Sequence, residues 1–295
     1  MSYELRVMSI LFYDLFSTHR YHPHIFKKKI QMNLMQIRLM FIGIIISSIS
    51  YSQGSPPVPY TPRDTMHYFT LGSTIIPLQL IRYGTNRHIV IINLHDDETT
   101  SVEAAKNILQ DIGGLLIKID NKNQRLVSFI LNKKEYTFDP NRIFSKKGII
   151  ATLKKNKAYS DLALKKVQAF ASFILKKIPG TTTTLIAVHN NDDGRLSIHS
   201  YQKGGDKVKD VKKINIGLSE DPDNFYFTTD KDIFKRLAPL DYNVILQENK
   251  KANDDGSLSI YYGRRNMSYV NVEVTQGQAK RQSQMIKSLF TDLKY

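Results

Sequence analysis

Residues 89–94 read IVIINL, a run in which both alternating sets of side chains are aliphatic except for Asn93. Successive side chains of a strand leave opposite sides of the backbone, so a strand of this kind has no solvent face. It belongs inside a sheet covered on both sides, which is the arrangement of α/β folds. The surrounding pattern agrees. Strands are expected at 74–82, 88–94, 115–119, 125–131, 135–138, 183–189, 196–201, 224–228, 243–247 and 269–274. Helices are expected at 101–112, 161–178, 231–240 and 279–293. The expected fold class is α/β, with a mixed, largely buried β-sheet flanked by helices in a sandwich.

The N-terminal fifth reads differently. Arg38 precedes the apolar run Leu39 to Ile46, and Ser50 and Ser52 supply a small-x-small signal before Gln53. That order is a secretory signal peptide, and the run is shorter than the roughly 20 residues a spanning helix needs. Met32 and Met35 sit just ahead of it, so residues 1–31 read as a start-site extension outside the fold. The signal peptide is expected at 32–52 and a Pro-rich linker at 53–62, with a single catalytic domain over 63–295. Cleavage would release a secreted or periplasmic chain with no stable membrane span.

The sequence has no cysteine, which removes disulfide scaffolds, Cys-ligated zinc, iron–sulfur clusters and thiol nucleophiles. Its net charge is +15, carried by paired lysines such as Lys154-Lys155, Lys165-Lys166 and Lys212-Lys213. No zinc-finger or RRM signature accompanies them, so the charge reads as a solvated basic surface with no specific nucleic-acid partner.

The chemistry concentrates where apolar strands end. IVIINL runs directly into His95-Asp96-Asp97-Glu98, and α/β folds bind ligands outside the carboxyl ends of central strands. An H-x-x-E on that turn can aim an imidazole and a carboxylate at one point, two of the three protein ligands of a catalytic zinc. A third ligand is available in His189, at the end of the apolar stretch LIAV. His88 opens its strand and belongs at the opposite edge, while His199 reads as a packed or surface histidine. Glu273 lies in the β-branched stretch SYVNVEVT; such a carboxylate is either solvent-facing or, if buried, paired or used. Asp139-Pro140 forms a turn presenting Asn141 and Arg142, a pair able to clamp a carboxylate; alternatively Arg142 pairs with Asp139 to fix the turn.

Taken in order, H-x-x-E, Asn-Arg, a His after a strand and a late Glu resemble the zinc carboxypeptidase superfamily. That superfamily includes carboxypeptidase A and the succinylglutamate desuccinylase/aspartoacylase branch, and the likeness spans most of residues 74–293. The resemblance implies a phosphorylase/hydrolase-like sandwich and one zinc ion held by His95, Glu98 and His189. It makes Asn141 and Arg142 the clamp for a substrate carboxylate and Glu273 the general base. Arg125 would match an arginine that polarises the scissile carbonyl, and a peptide-contacting tyrosine could be Tyr261 or Tyr262. Asp96-Asp97 departs from the relatives' smaller or neutral residues, and their charge is expected to alter the metal's surroundings.

The implied activity is hydrolysis of an amide bond next to a carboxylate-bearing group, in peptides or cell-wall fragments. Two other readings stand beside it. One is an N-acyl amino-acid deacylase of the desuccinylase type. The other is a non-catalytic module on the same fold that binds carboxylates or peptides. Such a module has no need of a base, so the complete set His95, Glu98, His189 and Glu273 argues for an enzyme.

Overall fold

The computed structural model describes residues 58–192 and 196–290. The expected extension, the signal peptide and residues 53–57 of the linker lie outside these residues. None of the described helices is long and apolar enough to cross a membrane.

Among the described residues, eleven strands and six α-helices follow one another as β1 (Pro62–Leu71), β2 (Thr74–Tyr83), β3 (Ile89–Asn93), α1 (Thr99–Ile112), β4 (Gly114–Ile119), β5 (Val127–Leu131), β6 (Lys134–Phe138), α2 (Lys146–Lys155), α3 (Asp161–Leu175), β7 (Thr184–Asn191), β8 (Val211–Asn215), β9 (Phe225–Thr228), α4 (Lys231–Leu237), β10 (Val244–Gln247), α5 (Leu258–Gly263), β11 (Ser268–Thr275) and α6 (Ala279–Ser288). Nine strands form one sheet in the order β1-β2-β4-β3-β7-β11-β9-β10-β8, and β5 and β6 make a separate hairpin. The central strands β4, β3, β7 and β11 run parallel to one another. β2 and β9 join their two sides antiparallel. The mixed, helix-covered sheet is the fold class that the apolar run at 89–94 requires.

Every residue of β3 is buried, and its side chains divide between two cores. Val90 and Ile92 pack with Leu153 of α2 and Val167, Phe170 and Ile174 of α3. Ile89 and Ile91 pack with Leu109 of α1, Leu237 of α4 and Met285 of α6. Local signals start the covering helices. Ser160 caps α3 by accepting from the Ala163 amide at 3.1 Å, and Ser145 caps α2 by accepting from the Gly148 amide at 3.0 Å.

Several expectations are corrected. The stretch 196–201, expected as a strand, contains a single 3-10 turn, Ile198–Tyr201. β1, β8, α2 and α5 were not expected, and β1 begins where the linker was placed, at Pro62. Helix α3 stops at Leu175, three residues before the expected end.

Candidate metal centre and substrate pocket

The carboxyl ends of β3, β7 and β11 share one edge of the sheet, and the predicted site residues meet there. His95 follows β3 by two residues, and Glu98 closes that turn, its amide donating to the His95 carbonyl at 3.1 Å. His189 lies near the end of β7 and Glu273 on β11, and the two are register partners. A buried hydrogen-bond chain holds these ends together. The Ser101 amide donates to Asn190 Oδ1 at 2.7 Å, and Asn190 Nδ2 donates to Gln282 Oε1 at 2.8 Å. Gln282 Nε2 in turn donates to the carbonyls of His189, at 2.9 Å, and Val272, at 3.2 Å. One glutamine on α6 therefore fixes β7 against β11.

His95, Glu98 and His189 are all buried, and their ligating atoms lie within 4.8 Å of one another. Nδ1 of His95 is 2.9 Å from Glu98 Oε1, and Nδ1 of His189 is 2.9 Å from Glu98 Oε2. Beyond them, His95 Nε2 is 2.8 Å from Asp139 Oδ1. His95 thus has a carboxylate at each nitrogen and meets both only as the doubly protonated cation. Burial opposes that charge, but Glu98 and Asp139 outweigh it and raise the imidazole pKa to about 9. Burial likewise pushes the Glu98 carboxyl up, yet the two histidines hold it well below the usual carboxylate range. Such a group could hold a cation. A divalent metal can take the place of the Nδ1 protons, and two imidazoles with one carboxylate suit zinc. An Nε2–H held by Asp139 leaves Nδ1 as the free lone pair such an ion requires.

Asp139, which the sequence shows only as part of a turn, stands behind His95 in the candidate site. It does cap the turn, accepting from the Asn141 amide at 2.8 Å with the same oxygen that meets His95. Its place two residues ahead of Asn141 was the available signal. Arg142 does not make the alternative pairing with Asp139. Its Nη1 donates to the Asn141 carbonyl at 2.9 Å and lies 3.5 Å from Asp255.

Glu273 is buried, not solvent-facing, and accepts from Asn271 Nδ2 at 2.9 Å. Burial pushes its carboxyl pKa up; His189 opposes the rise and Glu98 adds to it. Arg125 lies just before β5 and places Nη1 2.6 Å from Glu98 Oε1. Asp96 departs from expectation, because its charge is taken up away from the histidines. Its oxygens meet Lys118 Nζ at 2.9 Å and the amides of Asn121 and Asn123 at 2.7 and 2.9 Å. Asp97 is partly exposed and lies 4.0 Å from Arg125.

His95, Arg125, Asn141, Arg142, His189 and Glu273 line one cavity of about 120 Å³. Asn141 and Asn271 line it, and the Oδ1 atom of each is buried without a hydrogen-bond partner. Asn141 Nδ2 is 3.5 Å from His189 Nε2. If His189 binds a metal through Nδ1, its Nε2 carries the proton, and turning the Asn141 amide over puts Oδ1 on that proton.

No family model and no curated protein matches this sequence. Among solved structures, an aspartoacylase family protein from Mesorhizobium loti is 11% identical, over 78% of this chain and 67% of that one, with a TM-score of 0.39. A candidate carboxypeptidase A from Shewanella denitrificans is 9% identical, over 79% and 63%, also at 0.39. The LapA aminopeptidase of Legionella pneumophila is 10% identical, over 78% and 59%, at 0.36. This chain therefore spans about three fifths of the length of LapA. At these identities, function is read from the residues of this chain.

Proposed function

We propose that this chain is a zinc-dependent hydrolase that cleaves an amide bond beside a carboxylate-bearing group. The observation behind the reading is the convergence of His95, Glu98 and His189 on one buried point, with buried Glu273 across the strand pair from His189. Bound zinc supplies Lewis acidity and lowers the pKa of water toward about 7. The remaining work falls to the chain. Asp139 fixes the ring and tautomer of His95. Glu273 accepts a proton from the attacking water and delivers it to the leaving amine, a task suited to a carboxyl whose pKa is already raised. Arg125, on the cavity wall, stabilises charge developing on the carbonyl oxygen. Arg142 and Asn141 hold the substrate carboxylate, which takes the place of the Asp255 contact at the guanidinium.

Deacylation of small N-acyl amino acids is the second reading, favoured by the modest size of the cavity. Both are tested by assaying the full chain on N-acyl amino acids and on peptides with free C-termini. Hydrolysis lost to a chelator and restored by zinc is expected, and the preferred set separates deacylase from peptidase. No turnover of either set by a zinc-loaded chain favours the binding module. Export belongs to the same proposal: mass spectrometry of the protein from its host should find an N-terminus within a few residues of Gln53. A stable product keeping Met1 or Met32 contradicts it.

A further inference from the structure

Positive charge is unevenly distributed along this chain. Residues 121–180 contain fourteen Lys and Arg against three Asp and Glu, whereas 53–120 and 181–295 together contain twenty-two of each sign. Nine of the fourteen are lysines within 146–177, on α2, on α3, between them and in the two residues after α3, and the same stretch has a single acid, Asp161. We infer that the outer face of the α2–α3 layer is a docking surface for a membrane rich in anionic phospholipid.

The helix geometry makes this one array. Lys147 and Lys154 are seven residues apart, close to two full turns, so they share a face of α2, and the adjacent Lys165 and Lys166 are both exposed on α3. The apolar residues of both helices point into the core, and eight of the nine lysines are exposed. None of the nine makes an ion pair among the described residues. On the other side of the sheet, by contrast, Lys235 meets Asp232 and Arg281 meets Glu220. A block of unneutralised like charge repels itself and is relieved by an anionic partner.

The composition of the array selects the partner. It holds lysine without arginine, so it offers point charges and no bidentate fork for a phosphate in fixed geometry. It offers no open aromatic face for stacking bases, because the neighbouring Tyr159 ring is covered by Lys154 at 5.6 Å. None of the nine lysines borders the substrate cavity. Exposed point charges on two neighbouring helices match headgroups that move in a plane, and clusters of four to eight basic residues are a recognised signature of such binding. Leu162, 44% exposed and within about one turn of Lys165 and Lys166, adds an apolar contact for the interface. The array also reaches the cavity rim, since Lys147 Nζ donates to Asn253 Oδ1 at 3.0 Å and Asn253 lines the cavity. Docking by this face brings the site to the lipid surface. The inference does not depend on the hydrolase reading.

The test is co-sedimentation of the full chain with phosphatidylcholine vesicles, with and without phosphatidylglycerol, at low and high salt. Binding that needs the anionic lipid and falls with salt is expected. Lys154→Glu with Lys155→Glu, and separately Lys165→Glu with Lys166→Glu, should each weaken it about tenfold or more, at roughly fivefold per lysine. Reversal of Lys106, Lys231, Lys235 and Lys280 on the opposite face should leave it within about twofold. Circular dichroism confirms that each variant is folded, and the two pairs are independent if one fails. Equal binding to neutral vesicles, or equal loss from both faces, overturns the proposal. So does tight binding of soluble linear polyphosphate under salt conditions where vesicles are not bound.

Discussion

His189 and Glu273 are register partners on the parallel strands β7 and β11, so their side chains leave the sheet on the same side. One is an imidazole at the metal-ligating cluster, and the other is a buried carboxylate with a raised pKa. The strand pairing alone therefore brings a ligand and a base together across 84 residues of sequence.

This pairing separates their roles. Glu273→Gln keeps the shape and the partner Asn271 but removes the proton acceptor. Turnover of a confirmed substrate should fall by about 10²–10⁴-fold while stoichiometric zinc remains. Zinc content and kcat measured on the same preparation check this. A variant that loses its zinc, or hydrolyses at the parental rate, contradicts the role.

Asp139 holds His95 through Nε2 at 2.8 Å without belonging to the ligand cluster. Asp139→Asn should lower zinc affinity by about 10–100-fold, the usual effect of removing a carboxylate behind a ligating histidine. Competition with a chromogenic chelator reads the change, and unchanged affinity would show that Asp139 only shapes its turn.

How far the sequence revealed this arrangement depended on local pattern. His95 and Glu98 were legible because β3 is apolar on both faces and ends at them, and His189 because LIAV precedes it. The burial of Glu273 was not legible, because alternation in SYVNVEVT allows either face and only pairing with β7 and β9 decides it. β1 was hidden because an edge strand needs no apolar set; its first four residues are exposed. α2, reading KKGIIATLKK, buries little apolar surface and carries a glycine, so no helical period stands out. Asp139 was hidden by being a good turn residue, a role it also performs.

That glycine has a tertiary reason. A Cβ on Gly148 would lie 2.3 Å from Gly256 Cα and 2.6 Å from the Arg142 carbonyl, backbone that cannot step aside. Gly148→Ala should therefore destabilise the fold by about 2 kcal/mol, the cost of overpacking, and lower Tm by about 4–8 °C. Thermal denaturation followed by circular dichroism measures it, and a Tm within a degree of the parent would mean that α2 and the Gly256 loop can separate freely.

The most direct test of the central claim is calorimetric titration of zinc into the metal-stripped full chain, with Glu98→Gln and His189→Ala alongside. One ion per chain is expected, with binding severely weakened in both variants while their circular dichroism stays native. A natively folded parent that takes up no zinc, or a His189→Ala variant that binds it as tightly as the parent, would contradict the account.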